Sequence, residues 1–389
     1  MAVMDADLND SARVAPNDLP VPEELSGRKL RPRLLLLAGI VLVVVALVTL
    51  LPGLEGLRTR LSDAKPSWLI LGIALKVLSG LGYIAVFRMV FCRRMSWRVG
   101  YQIGQSELGA NALFPTGGAG GLALGAWALK RGGMPGSEIA RRTAAFFLLT
   151  SVANVAALVI IGAGLAVHIF PGETKPSLTI VPAVIAGLAI VGALLAGRAS
   201  SSLHRRLERG EEEKRLSRIS GFVLKTLVAI ADGVNEAVAL LREHNAWLIG
   251  GMVAYLGFDV MILWATFHAF GAAPPLAIVW IAYLIGELGG LIPVPGGIGG
   301  VDAGLVGTLV LYNVPITAAA SAVLAYRAIA LWVPASLGAV AFVFLRRTLR
   351  NESDRIAVCA PQTEMEVIGL GRVVISAPGP DSTEAVPVR

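Results

Sequence analysis

The stretch Ile292–Gly304, IPVPGGIGGVDAG, decides how the chain is read. It sets two prolines, five glycines and an aspartate inside an otherwise apolar region. Proline lacks the N–H a helix interior needs, and glycine gives up the most backbone freedom on ordering, so no regular helix runs through it. Lipid offers nothing to an unpaired backbone N–H or C=O. A break at membrane depth must therefore face protein, water or a polar ligand.

The surroundings are membrane-like. The 389 residues are 55% hydrophobic and only 16% charged, with a mean hydropathy of +0.70, whereas roughly a quarter of an ordinary soluble domain is charged. A bilayer core about 30 Å thick takes about 20 apolar residues in a helix. Six runs meet that length: Leu34–Leu51, Trp68–Phe91, Ala144–Ile169, Leu178–Ala196, Ala246–Phe270 and Ile316–Leu345. Two further apolar regions, Gly100–Leu129 and Leu276–Tyr312, are each interrupted by a Gly/Pro cluster. The arms of the second, of about 16 and about 12 residues, reach roughly 24 and 18 Å, too short for two crossings. The first has similar arms of about 15 and about 10 residues, some 22 and 15 Å. The expected fold is all-α and polytopic, with six full transmembrane helices plus two opposed re-entrant broken-helix hairpins.

Basic residues fix the threading, because Lys and Arg in short flanking segments stay on the cytoplasmic side. Arg28, Lys29, Arg31 and Arg33 precede the first span; Arg93, Arg94 and Arg98 follow the second. Lys130, Arg131, Arg141 and Arg142 follow the first broken region, nine Lys/Arg lie between Arg198 and Arg242, and Arg346, Arg347 and Arg350 follow the last span. The outer segments hold only Arg58, Arg60, Lys65 and Lys175. Both termini are thus expected in the cytoplasm of a multi-pass plasma-membrane protein. The net charge of +7 belongs to these flanks, and without a separate basic domain nucleic acid is excluded as a partner. The acidic N-terminus lacks a secretory signal's basic start and short apolar core, so the first run is expected to persist as a helix. Two cysteines, Cys92 and Cys359, imply no disulfide framework.

The two broken regions resemble each other. The first reads ELGANALFPTGGAGG from Glu107, the second ELGGLIPVPGGIGG from Glu287. In the expected threading one hairpin enters from the cytoplasm and the other from outside, which makes the repeat inverted. Paired Gly/Pro-interrupted segments of this kind point to a binding site near the midplane of a transporter. Pro115, Gly117 and Gly118 in the first and Pro293, Pro295, Gly296, Gly297 and Gly299 in the second are its candidate backbone elements.

Charges inside apolar segments add to this. Lys76, Glu107, Asp259, Glu287, Asp302 and Arg327 each cost about 2.5–3.5 kcal/mol at a helix centre on insertion scales, so such residues face cavities and pair. Arg327 is expected to pair with Asp302 or Glu287, and Lys76 with Glu107 or Asp259. His268, near the outer end of its span, reads as a satisfied interfacial histidine. The chain has no metal-ligand spacing, no phosphate loop and no nucleophile elbow. No cofactor is expected, and no soluble stretch is long enough for a catalytic domain, so an enzyme is not expected either. Residues 198–243 read as a cytoplasmic linker ending in an amphipathic helix near Phe222–Leu241.

LIPVPGGIGGVDAGLVGTLVLYNVPITAAASAVLAYRAIALWVPASLGAVAF resembles the signature of the lysylphosphatidylglycerol synthase transmembrane-region family, a group of flippase-like membrane proteins. That pattern runs Pro-x-Pro-Gly-Gly-x-Gly, an acidic residue, a short helix, then Tyr-Arg and Trp-x-Pro. Pro293, Pro295, Gly296, Gly297, Gly299, Tyr326, Arg327, Trp332 and Pro334 match it, and Asp302 stands where the family usually has Glu. The likeness covers about residues 30–348. The first half departs from the pattern: GGLALGAW and RRTAAFFLLTSVAN lack the acidic residue after the Pro-Gly turn and the Glu-Arg pair that family members often show, leaving Glu107, Arg141 and Arg142 as the local charges.

The resemblance implies a protein that moves or handles an amphipathic phospholipid or glycolipid between leaflets, without the aminoacyl-transferase domain of the lysyl-lipid system. The expected organisation is a disordered cytoplasmic segment 1–33, a flippase-like transmembrane domain 34–345 and a cytoplasmic, largely disordered tail 346–389. The lipid is the expected partner, alone or with a separate lipid-modifying transferase. Two alternatives stand beside translocation: a non-transporting subunit that presents lipid to a glycosyl- or aminoacyl-transferase, and an ion-coupled small-solute transporter.

Overall fold

The computed structural model describes residues 59, 62–113, 119–173, 175–198, 218–243, 245–271, 273–289 and 299–351. The expected span Leu34–Leu51, both terminal segments and the two Gly/Pro turns lie outside the described residues. Within them are ten helices: α1 (Pro66–Phe91), α2 (Trp97–Leu113), α3 (Ala119–Arg131), α4 (Gly136–Ala166), α5 (Pro176–Arg198), α6 (Arg218–Arg242), α7 (Ala246–Ala269), α8 (Leu276–Leu288), α9 (Gly300–Leu311) and α10 (Ile316–Asn351). By length and composition α1, α4, α7 and α10 can cross a membrane, while the apolar part of α5, Pro176–Gly192, is shorter. Six full crossings are thus not all present among the described residues. The expected amphipathic helix is α6, whose Val228, Ala231, Val234, Ala237 and Leu240 are buried at helical spacing.

The helix ends follow local chemistry. α1 opens on Pro66, whose missing N–H is an orphan there in any case. Its C-terminal carbonyls at Val90 and Phe91 accept from the Arg142 guanidinium, which serves as a cap borrowed from α4. α2 begins three residues earlier than the apolar pattern marks, because Ser96 Oγ accepts from the Val99 N–H at 3.3 Å. Cys92, at the C-cap of α1, is disulfide-bonded. That is one pairing and not a framework of bridges, which the composition does not imply.

The centre of the fold is the pairing of α1 with α7. Gly82 and Gly251 let the two backbones touch: a Cβ on Gly82 would stand 2.6 Å from the Tyr255 nitrogen and 2.8 Å from the Gly251 oxygen. Small residues permit this approach in membranes, where close packing rather than water exclusion drives helix association. A second crossing of the same kind joins α2 to α10 at Gly109 and Gly338. α10 runs unbroken through Pro334, which gives up one ladder hydrogen bond.

Each interrupted region is two helices packed on each other. α8 meets α9 where a Cβ on Gly304 would stand 3.1 Å from the Gly286 Cα, and α2 is tied to α3 by the Gly121 N–H, which donates to Asn111 Oδ1 at 2.8 Å. The two pairs occupy opposite ends of the α1/α7 unit. One apolar cluster joins α2 and α3 to Tyr83–Phe91 of α1 and to Leu248 and Met252 of α7. The other joins α8 and α9 to Leu75 of α1 and to Leu256–Phe267 of α7.

Gly109→Val forces a branched side chain between α2 and α10, where a Cβ already falls 2.7 Å from the Gly338 Cα. The expected destabilisation is about 1–3 kcal/mol, read as a lower Tm in detergent, while Gly257→Ala, with no atom within 4 Å of its Cβ, leaves Tm unchanged.

Candidate functional site

Between the two apolar clusters lies a polar layer. Lys76, Ser79 and Tyr83 follow a three-then-four spacing that aligns them on one face of α1. Opposite them α7 presents Tyr255 and Asp259, four residues apart. Lys76 Nζ lies 2.6 Å from Asp259 Oδ1, with each side chain only 10% exposed. Tyr283 of α8 donates its hydroxyl to Asp259 Oδ2 at 3.0 Å. Ser79 Oγ stands 3.0 Å from both Asp259 Oδ1 and the Tyr255 carbonyl, and its one proton serves one of them at a time. A buried ion pair survives desolvation only when its remaining lone pairs are met, as they are here.

On the α2 side, Tyr83 donates to Glu107 Oε2 at 2.9 Å. The Tyr83 ring packs edge-on to Tyr255, with centroids 5.3 Å apart. Glu107 is buried and fits only because residue 125 is glycine, since a Cβ there would overlap its carboxylate. On the other side Tyr283 meets the Tyr326 ring edge-on at 6.2 Å.

The second Gly/Pro region ends in a built turn. Gly299 has φ +94°, a conformation side chains rarely adopt, and it opens α9. Asp302, three residues into the turn, accepts from the Gly299 N–H with Oδ2 at 3.0 Å and from Arg327 Nε with Oδ1. One carboxylate therefore caps α9 and anchors α10. The pair is half-open, with side-chain exposures of 29% for Asp302 and 22% for Arg327. Glu287, exposed at the end of α8, is in electrostatic range of Arg327, Lys76 and Asp259.

The two pairings left open by the sequence are thus resolved, Arg327 with Asp302 and Lys76 with Asp259. Glu107 joins neither and takes Tyr83 instead. Pro115, Gly117, Gly118, Pro293, Pro295, Gly296 and Gly297 lie outside the described residues. Arg141 and Arg142 brace helices: both bond Glu138, and Arg141 also reaches Glu236 of α6 at 3.7 Å. His268 Nδ1 lies 3.0 Å from the Trp264 carbonyl, to which its N–H donates, and the ring packs on Trp68. Sequence reading missed Ser79, Tyr83, Tyr255 and Tyr283. A usable signal was there, since Tyr255 precedes Asp259, and Tyr283 precedes Glu287, by one helical turn.

Residues 36–338 match the family described as the lysylphosphatidylglycerol synthase TM region. The chain belongs to this family. The matched span ends at Gly338, the residue that closes the α2/α10 crossing, so nearly the whole helical assembly is family architecture. Over 117 residues the chain is also 26% identical to a UPF0104 membrane protein of Methanothermobacter thermautotrophicus, a stretch covering 28% of this chain and 35% of that one. The chain thus spans about a third of that relative's length. No solved structure matches it.

Removing one member of the Lys76–Asp259 pair leaves an uncompensated buried charge, an effect of about 3–5 kcal/mol. Lys76→Met and Asp259→Asn are each expected to lower Tm strongly, and the double variant to recover much of the loss. A double variant as unstable as the sum of the singles would show that the pair is not coupled.

Proposed function

We propose that the protein translocates an amphipathic phospholipid or glycolipid between the leaflets of the plasma membrane. In this reading α2/α3 and α8/α9 are opposed re-entrant hairpins of an inverted repeat, with both chain termini in the cytoplasm. The lengths support it: α8 and α9 have 13 and 12 residues, about 20 and 18 Å against a core of about 30 Å. Their packing at opposite ends of the α1/α7 unit agrees.

The observation that carries the reading is the half-open Arg327–Asp302 pair at the N-terminus of α9. A helix N-terminus carries about half a positive charge and Arg327 adds a whole one, which Asp302 offsets; the remainder, and the guanidinium's further N–H groups, attract a lipid phosphate to this corner. Asp302 keeps the guanidinium in place, and Glu287 supplies an exposed carboxylate for hydroxyl or ammonium groups of the head group. The apolar helix faces on either side accommodate the chains.

Proteoliposomes carrying fluorescent phospholipids test this by dithionite access to the outer leaflet. Arg327→Ala is expected to slow exchange about tenfold or more, the effect of one lost charge-assisted contact of roughly 1.5–3 kcal/mol. Arg327→Lys retains part of the rate, because lysine keeps the charge without the fork. Equal exchange by wild type and Arg327→Ala would sink the proposed phosphate site. No exchange by the wild type would favour a subunit that presents lipid to a separate transferase.

A further inference from the structure

Beyond the Gly109–Gly338 contact, a groove of about 350 Å³ lies between α2 and α10. Its α2 wall is Arg98 with Tyr101 and Gln102 one turn further on. Its α10 wall is a matching stripe of Leu337, Val340, Ala341 and Phe344. We propose that this groove binds an anionic glycerophospholipid, its phosphate at Arg98 and one acyl chain along the α10 stripe.

The layering of the groove fits that occupant. Measured along the axes from the glycine crossing, Phe344 lies about 9 Å away and Arg98 about 16 Å, so the inner part is apolar and the rim is charged. Val340 and Phe344 are exposed by 57% and 47% although they flank a tight helix crossing. Arg98 is exposed and has no carboxylate partner among the described residues. Arg346 and Arg347, also exposed, continue the basic rim just past Phe344. A free cation beside an apolar slot matches a phosphate joined to a hydrocarbon chain, and it opposes a neutral or cationic head group.

Gln102 supplies the independent mark of a missing ligand. It is 5% exposed, and its Oε1 is buried with no hydrogen-bond partner among the described residues, a condition that normally signals an absent partner. It lies one turn deeper than Arg98, at the level where a lipid bound by its phosphate holds its glycerol esters. Rotated end for end, the amide offers an N–H to an ester carbonyl. Tyr101, exposed at the rim, offers a hydroxyl to the same region.

This groove is separate from the Arg327–Asp302 corner, and binding there does not require translocation. The test uses the full chain in phosphatidylcholine nanodiscs with a phosphatidylglycerol probe carrying a diazirine in one acyl chain. Photolabelling is expected on the 337–344 segment of α10, and unlabelled phosphatidylglycerol is expected to compete at about tenfold lower concentration than phosphatidylcholine, the effect of one charge-assisted contact. Arg98→Ala abolishes that preference. Val340→Trp, which fills the groove from an exposed position, removes the labelling, while Val184→Trp on the lipid face of α5 leaves it intact. Undiminished labelling of 337–344 in Val340→Trp overturns the site, and equal competition by the two lipids in wild type overturns its anionic character. Loss of lipid exchange in Arg327→Ala with labelling unchanged supports two distinct sites. Failure of the wild type to exchange lipid, with labelling as expected, leaves this groove standing while the translocation reading falls.

Discussion

The Lys76–Asp259 pair holds the organisation of the membrane core together. A lysine and an aspartate in hydrocarbon are each expensive, and they become tolerable only when they meet at bonding distance with their other valences met. That condition draws α1 and α7 to one register, and the Gly82/Gly251 contact allows the backbones to come close enough. Tyr283 then reaches the free oxygen of Asp259, which recruits α8 and with it the second interrupted region. One carboxylate thereby fixes three helices.

The interrupted regions obey the same rule in backbone form. A helix leaves its first N–H groups without an intrahelical partner, and something must accept from them. In α9 that acceptor is Asp302, which at the same time binds Arg327. Residues that carry the resemblance in the sequence have physical duties here: Gly299 where φ is positive, Asp302 where a helix begins, Arg327 where that acid needs a counter-charge. The shorter aspartate still performs the task because it sits at the third position of α9, within reach of the Gly299 N–H.

The two halves use different chemistry around a shared geometry. In the second half the acid next to the broken helix pairs with an arginine and stays half-open. In the first, Glu107 is enclosed, bonded by Tyr83 and walled by Gly125, and the nearby arginines are spent on capping α1 and bracing α4 against α6. In the half that departs from the family pattern, Glu107, Arg141 and Arg142 are spent on structure. In the proposed function a lipid phosphate would meet Arg327 at the α9 end of the core and, in the proposed lateral groove, Arg98.

Much was legible in the sequence because the bilayer allows few solutions. Apolar runs of fixed length gave α1, α4, α7 and α10, Gly/Pro clusters gave the places where α2/α3 and α8/α9 divide, and the cost of intramembrane charge singled out Lys76, Asp259, Asp302 and Arg327. Which charges meet could only be narrowed, since Lys76 had two acids within plausible reach and Arg327 likewise had two. Choosing between them depends on helix rotation and crossing point, which glycine contacts between distant segments decide. Tyr83, Tyr255, Tyr283 and Ser79 escaped notice because a hydroxyl is affordable in an apolar helix and carries no penalty to betray it. The groove between α2 and α10 was invisible for a related reason: its walls lie more than two hundred residues apart, and only the tertiary packing that seats Gly109 on Gly338 brings them face to face.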